Sequence, residues 1–383
     1  MVFKKQNIQT VKKKNIIIYY PSFERGGVEH NLVNLINNFD KNIYVHLIST
    51  ITKNNSKKIF KKKNFKIYEV KKKKFLNFLP NRFNTAFSSI SILKHLTDKL
   101  QRQNLIVHSM QSNIVAIIVC LLSNTKIVIR NSEDPISSTI YSENFFISSF
   151  VFFFKILFYN LCDGIITNSK GSKNSIEKFV FNKKKIKAIY NPYLKNLNKK
   201  VFKKDNLIIN IGRFRKQKNQ IMLIKAFYLF QKKFQKYRLL LVGDGILKEK
   251  LVNEIDNLGL NKKILITGWS ENTYQYLKRS KIFVLSSLYE GLGNVLIDSI
   301  NYNVPCISTD CKSGPREILL NGRGGFLVKN NNVKDLYNKM IFCEKNYKDA
   351  IKKNEISKKK LKRFFTVDRV KDYEKYLLKF ENI

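Results

Sequence analysis

"LIINIGRFRKQKNQIMLIKAF", residues 207–227, reads as a strand, a turn and a helix. Residues 207–211 are a short apolar run of strand length, and a longer amphipathic run follows the turn. A small residue such as Gly212, where a strand hands over to a helix, lets backbone approach a ligand. The free amides of the helix N-terminus then favour an anion. Arg213 and Lys218 add two cations at this turn, which suits a pyrophosphate. Plain surface charge is the competing reading of that pair.

The same unit recurs downstream. "LVGDGILKEKL" (241–251) brings Gly243 to a strand end, and "ITGWSEN" (266–272) repeats the pattern. Strands are expected at 207–211, 238–242, 263–267, 282–286, 304–309 and 325–329, with helices between them and a lysine-rich helical stretch over 331–383. Upstream, an independent series places strands at 15–20, 44–49, 65–70, 104–109, 125–130 and 163–168. In that series "ERGGVEHNLVNLINNF" (24–39) is a glycine turn opening a helix, with Gly26 and Gly27 at the turn. Between the two series, "IYNPYLKNLNKKVFKKDN" (189–206) breaks the pattern with Asn-Pro and a charged run. Strand–helix alternation of this kind predicts an α/β protein built on parallel sheets. The expected organisation is two doubly wound, Rossmann-like domains facing across a cleft. Residues 1–190 form the first, 191–206 the linker, 207–365 the second, and 366–383 a C-terminal helix packing back on the first. Ligand should lie at the carboxyl ends of the strands.

The bulk numbers fit two domains: 383 residues with 44% hydrophobic content. The formal charge of +44 is unusual. It suits a polyanionic partner, either nucleic acid or an anionic membrane face. Compositional drift is the alternative, because Lys, Asn, Ile, Phe and Tyr are abundant together. Cys120, Cys162, Cys306, Cys311 and Cys343 show neither C-x-x-C nor metal-ligand spacing, which points to reduced thiols in a cytosolic protein. The lysine-rich start runs straight into "NIIIYY", too short for a signal-peptide core. "FFISSFVFFFKILFYNLC" (145–162) is interrupted by Lys155 and three serines, and is expected as a buried or interfacial helix.

The remaining chemistry sits in "SLYEGLGNVLIDS", residues 287–299. Glu290 precedes Gly291, Leu292, Gly293 and Asn294, and a helix is expected over 292–302 with Asp298 in its second or third turn. Eight residues of helix span about 12 Å, the reach from the sugar to the ribose of a nucleotide sugar. Glutamate accepts hydrogen bonds from sugar hydroxyls and aspartate from a ribose diol, while the amides of 291–294 face the diphosphate between them. A capping acid and a solvated helix acid are the ordinary alternative.

"GRFRKQKNQIMLIKAF", "LVGDG", "SSLYEGLGNVLIDSINYNVPCIST" and "GPREILLNGRGGFLV" together resemble the retaining nucleotide-sugar glycosyltransferases of family four, which have the GT-B fold. The resemblance covers nearly all of 205–330. It extends more loosely through "GGVEHNLVNL", "CDGIITNSKGS" and "IYNP" in the first half. It implies that Arg213 and Lys218 hold the donor diphosphate, that Glu290 meets the donor sugar, and that Asp298 meets the ribose. It also implies that Gly26 and Gly27 face the diphosphate from the other domain. Asp298 stands where the family usually has glutamate. Where such enzymes often carry a histidine, this chain has Arg130, and His108 in "IVHSM" is the substitute candidate. A core histidine is the alternative for His108. Front-face attack assisted by the donor phosphate, as the resemblance implies, asks the protein for positioning and charge stabilisation.

The donor expected on this resemblance is a UDP-sugar, with no cofactor and no metal, since no D-x-D occurs in the chain. The acceptor is a saccharide or lipid-linked saccharide of a surface polysaccharide, lipopolysaccharide or other glycan. "KKIFKKKNFKIYEVKKKKFLNFLPNRF" (57–83) mixes lysine clusters with aromatics, which suits an anionic bilayer. The expected location is cytoplasmic, peripheral on the inner face of the membrane. The rivals are a nucleotide-sugar epimerase of the same fold and a basic nucleic-acid-binding protein. Against the latter, no binding module is legible and the lysines are spread over both halves.

Overall fold

The computed structural model describes residues 14–24, 26–100, 103–311 and 313–380. The lysine-rich start read for a signal peptide, and the last three residues of the C-terminal helical reading, lie outside them.

The first series of strands is β1 Lys14–Tyr19, β2 Ile43–Ser49, β3 Phe65–Glu69, β4 Leu105–Ser109, β5 Ile127–Asn131, β6 Gly164–Thr167 and β7 Ile186–Ala188. They form a seven-stranded sheet in the order β3-β2-β1-β4-β5-β6-β7. The second series is β8 Leu207–Ile211, β9 Arg238–Val242, β10 Ile264–Gly268, β11 Ile282–Leu285, β12 Cys306–Thr309 and β13 Phe326–Val328. They form a six-stranded sheet in the order β10-β9-β8-β11-β12-β13. In both sheets the chain starts in the middle, winds to one edge, returns and winds to the other. The β8–β9, β8–β11, β11–β12 and β12–β13 pairs are parallel, as are β1–β2, β1–β4 and β2–β3. Both faces of such sheets are covered by helices, so their strands are apolar throughout. Ile16, Ile17, Ile18 and Tyr19 of β1 are all fully buried.

The contact pattern divides the chain into two compact units. One comprises residues 1–130, 158–165 and 370–383, and the other residues 131–157 and 166–369. In the second unit the two-residue period of a strand sorts its side chains into two cores. Ile208, Leu239, Leu241, Val284 and Ile307 enter one, with Phe227 and Phe230 of the helix Gln220–Lys233. Ile209, Ile211, Leu240, Val242, Phe283 and Leu285 enter the other, with Leu296, Ile297 and Ile300 of the helix Asn294–Asn301. A side chain of this size contributes roughly 1.5–3 kcal/mol when fully buried, so the two cores fix where the strand ends lie.

The segment read as a linker is pinned at several points, among them the Asn198 amide, which donates to Asn301 Oδ1 at 2.9 Å, and Lys204 Nζ, which donates to the Tyr302 carbonyl at 3.0 Å. The Tyr193 and Leu194 amides donate to the Phe364 carbonyl at 3.2 and 3.0 Å, and Leu194 is buried. Residues 145–162 hold the helix Phe145–Tyr159, of which only Tyr159 is buried. Among the described residues, no helix is long and apolar enough to cross a membrane.

Candidate active site

Three turns meet at the carboxyl end of the second sheet. The β8 turn carries Gly212, Arg213 and Phe214, then a short 3-10 turn Lys216–Lys218. Phe214 is fully buried, and its amide donates to the Asp244 carbonyl at 2.9 Å in the β9 turn. A Cβ on Gly243 would lie 2.0 Å from the Gly212 carbonyl oxygen, so only glycine lets these two turns touch. The Gly243 amide donates to the Gly268 carbonyl at 2.9 Å, which brings the β10 turn alongside.

The turn after β11 supplies the first acid. Glu290 is 6% exposed. The Lys218 Nζ lies 2.5 Å from its Oε1, and the Ser287 hydroxyl donates to the same oxygen at 2.6 Å. The pair is held by its backbones too. Ser286 Oγ donates to the Lys218 carbonyl at 2.8 Å, the Leu288 amide to the Gln217 carbonyl at 2.8 Å, and Gln217 Nε2 to the Tyr289 carbonyl at 3.0 Å. Ser313 Oγ donates to the Glu290 carbonyl at 2.6 Å. A buried ion pair stabilises only when its remaining lone pairs and protons are satisfied. On Oε1 the Ser287 hydroxyl supplies that further contact.

Gly291 follows at a point of close backbone approach. A Cβ there would lie 1.9 Å from the Ser132 carbonyl oxygen and 2.6 Å from Asn168 Nδ2. Leu292 is buried in the core, and Gly293, at φ 86°, caps the helix Asn294–Asn301. The helix therefore begins two residues later than the expected 292, because Gly293 takes a left-handed conformation. Asn191 Nδ2 donates to Asn294 Oδ1 at 2.8 Å.

Asp298 sits in the second turn of that helix. Its Oδ2 accepts a hydrogen bond from the Tyr193 hydroxyl. Burial pushes its carboxyl up to about 7, with the tyrosine hydrogen bond pulling the other way. The same burial, together with the neighbouring carboxylate, holds the Tyr193 phenol well above its ordinary range. Among the described residues no cation forms an ion pair with Asp298, in contrast to Glu290.

The structure brings Lys218 and Glu290 into contact, with the buried Gly291, Leu292 and Gly293 leading from Glu290 to the half-buried Asn294 at the helix start, and with Gly212 and Gly243 in backbone contact with each other. Arg213 is partly exposed in the β8 turn, where its carbonyl accepts from Gln220 Nε2 at 3.2 Å. In the other unit, Gly26 has extended backbone and precedes the helix Gly27–Asn38. Glu29 in the first turn of that helix accepts from the Tyr20 hydroxyl at 2.7 Å and from the Glu24 amide at 3.3 Å, so the glycine loop is tied down.

His108 requires a correction. It is fully buried, and its Nδ1 lies 3.0 Å from the Val128 carbonyl. Its ring meets Tyr373 edge-on at 5.8 Å. Burial, opposed by the Val128 hydrogen bond and aided by the Arg130 charge, lowers its pKa to about 3. A ring enclosed in this way is a core histidine, and it meets no substrate. The physical reason is its place on β4, a strand covered on both faces, with Tyr373 of the helix Thr366–Leu377 packed over it.

Sequence reasoning missed Ser287 and Tyr193, the hydroxyls that touch the two acids. Both lie inside stretches that drew attention for other reasons, and neither type of residue carries a periodic signal. Among the described residues no group of three or more His, Cys, Asp or Glu is placed to hold a metal ion.

Comparison with known proteins gives concordant results. The model described as Glycosyltransferase Family 4 matches residues 25–193, and that described as Glycosyl transferases group 1 matches residues 195–363. An uncharacterised glycosyltransferase of Methanocaldococcus jannaschii is 34% identical over 277 residues, 66% of this chain and 68% of that one. The N-acetylgalactosamine-N,N'-diacetylbacillosaminyl-diphospho-undecaprenol 4-alpha-N-acetylgalactosaminyltransferase of Campylobacter jejuni is 32% identical over 275 residues, 70% of this chain and 73% of that one. Among solved structures, TarM of S. aureus aligns at a TM-score of 0.77 with 15% identity, covering 97% of this chain and 100% of that one. HepE of Anabaena in complex with UDP-glucose aligns at 0.75 with 16% identity, covering 96% and 100%.

Proposed function

Because this chain belongs to glycosyltransferase family four and has the GT-B fold of such enzymes, we propose that it moves a sugar, with retention, from a UDP-sugar to a saccharide or lipid-linked saccharide acceptor in surface-glycan synthesis. The observation that carries this reading is the Lys218–Glu290 pair at 2.5 Å, set between a glycine turn and a helix N-terminus. A diphosphate carries the charge that the ammonium, the Arg213 guanidinium and the free amides of 291–294 would offset. Glu290 then accepts hydrogen bonds from donor-sugar hydroxyls, and Asp298 accepts from the ribose diol. With the leaving diphosphate neutralised by fixed cations and amides, the site needs no divalent ion for that step. The donor phosphate takes the proton of the attacking acceptor hydroxyl on the same face as it leaves, so no protein nucleophile is required.

Relatives and neighbours support the finer points. A relative's name includes diphospho-undecaprenol, and neighbours were solved with UDP or UDP-glucose. The proposed location is the inner face of the cell membrane. In one unit, exposed Lys71, Lys72, Lys73 and Lys74 adjoin Phe75 and Phe78, both more than two-thirds exposed. In the other unit, Phe146 and Phe150 project from the helix Phe145–Tyr159. Lysines near an anionic surface contribute about 1 kcal/mol each, and aromatics settle in the headgroup layer. Vesicle flotation with and without anionic lipid tests this part, and absence of a shift at moderate salt removes it.

The donor reading is tested by a thermal-shift screen of nucleoside diphosphates, followed by hydrolysis assays on the matching nucleotide sugars. UDP is expected to raise the melting temperature most. No shift with any nucleoside diphosphate would remove the reading.

A further inference from the structure

We propose that Ser287 is a positioning residue, which with Lys218 fills one carboxylate oxygen of Glu290 and turns the other toward the donor sugar. The inference rests on the donor reading above. Both contacts fall on Oε1: the ammonium at 2.5 Å and the Ser287 hydroxyl at 2.6 Å. Among the described residues, Oε2 takes no partner, and it is not among the buried polar atoms left without one. In a residue only 6% exposed, the remaining exposure therefore includes the oxygen that lacks a protein donor.

A carboxylate offers about four lone-pair sites. Here those of one oxygen are taken inside the fold, and those of the other face outward, where sugar hydroxyls donate. Rotation of the carboxylate about its terminal torsion is otherwise soft, since that torsion is broad. Two donors converging on one oxygen remove that freedom before the ligand arrives.

Ser287 is itself fixed. It is fully buried, its carbonyl accepts from Thr309 Oγ1 at 2.5 Å and Cys311 Sγ at 3.2 Å, and its hydroxyl is one of the two contacts that hold the carboxylate plane. The residue thus links the end of β11 to the end of β12 and transmits both to Glu290. It touches no substrate, so its effect is on orientation.

This separates sugar recognition from nucleotide recognition. The experiment is calorimetric titration of wild type, Ser287→Ala and Glu290→Gln with UDP and with a panel of UDP-hexoses and UDP-N-acetylhexosamines. Any extra affinity that wild type shows for its best nucleotide sugar over UDP should shrink in Ser287→Ala, about tenfold for one lost hydrogen bond to a charged group. UDP affinity should stay within about twofold in that variant, as the lost hydroxyl bonds the Glu290 carboxylate and not the nucleotide. Glu290→Gln should show the same loss in sugar-dependent affinity. A merely structural role would lower both affinities together and would lower the melting temperature. Equal losses for UDP and nucleotide sugar, or no loss for either, would overturn the assignment. Failure of wild type to bind any of these compounds would overturn the donor reading and the assignment with it, whereas UDP binding with an unaltered sugar increment overturns the assignment alone.

Discussion

Glu290 and Asp298 belong to one turn-and-helix unit, yet their surroundings differ. Glu290 has an ammonium at 2.5 Å and a serine hydroxyl at 2.6 Å, so its charge is balanced within the fold. Asp298 has a tyrosine hydroxyl and, among the described residues, no ion pair, and burial pushes its carboxyl to about 7. Spacing alone makes the two acids look equivalent. The neighbours make one a fixed anchor and the other a group whose charge depends on pH and ligand.

Four experiments break or sharpen that contrast. Glu290→Ala is expected to have the largest effect: loss of one such contact to the reacting sugar should cut kcat by about 100-fold or more, read from a transfer assay. Wild-type turnover in that variant would remove Glu290 from the site. Next, Arg213→Ala should weaken UDP binding by roughly 1.5–3 kcal/mol, read by calorimetric titration. Unaltered UDP affinity would place Arg213 outside the diphosphate contact.

The third concerns pH, and its sign follows from the direction of the Asp298 shift. An acid raised from 3.8 to about 7 keeps its proton in the fold while the unfolded chain has lost it. Stability from this site is therefore greatest below pH 3.8, falls as pH rises to about 7, and is level above. Asp298→Asn should flatten that part of a melting-temperature profile. Binding has the opposite slope. A ribose diol donating to Asp298 favours the ionised form, so affinity for UDP should rise with pH toward about 7 and then level off. The UDP phosphate titrates in the same region, so the comparison is with 2′,3′-dideoxy-UDP, which shares that titration and lacks the diol. Identical pH profiles for the two nucleotides would remove Asp298 from the ribose. Smallest of all, Asp298→Glu should change UDP affinity by less than about 1 kcal/mol, since it restores the acid more usual at this position. A larger loss would mean that the Tyr193 contact, which the longer arm disturbs, governs the site.

Much of this architecture is legible in the sequence, for a physical reason. Strands buried on both faces are continuous apolar runs, and some of the glycine turns in the second half mark points where two backbones meet, as at Gly243 against Gly212 and Gly291 against Ser132. What escaped the sequence reading was short or singular. β7, Ile186–Ala188, is three residues long and lies among lysines, so no run announces it. The start of the helix at Asn294 depends on the left-handed φ of Gly293, which only geometry reveals. Lys218 and Glu290 were legible as charges at loop ends but not as a pair, since 72 residues separate them. His108 misled because a histidine at a strand end looks the same in sequence whether it faces solvent or, as here, the ring of Tyr373. Ser287 and Tyr193 gave no signal, because one hydroxyl among many has no period and its partner is fixed only by the fold.

The claim on which the rest depends is that Lys218, held against Glu290, also neutralises a nucleotide diphosphate. Calorimetric titration of UDP into wild type and Lys218→Ala at one salt concentration tests it most directly. The account predicts saturable binding to wild type, weakened in the variant by roughly 1.5–3 kcal/mol. Equal affinity in the two proteins, with the variant folded, would contradict it.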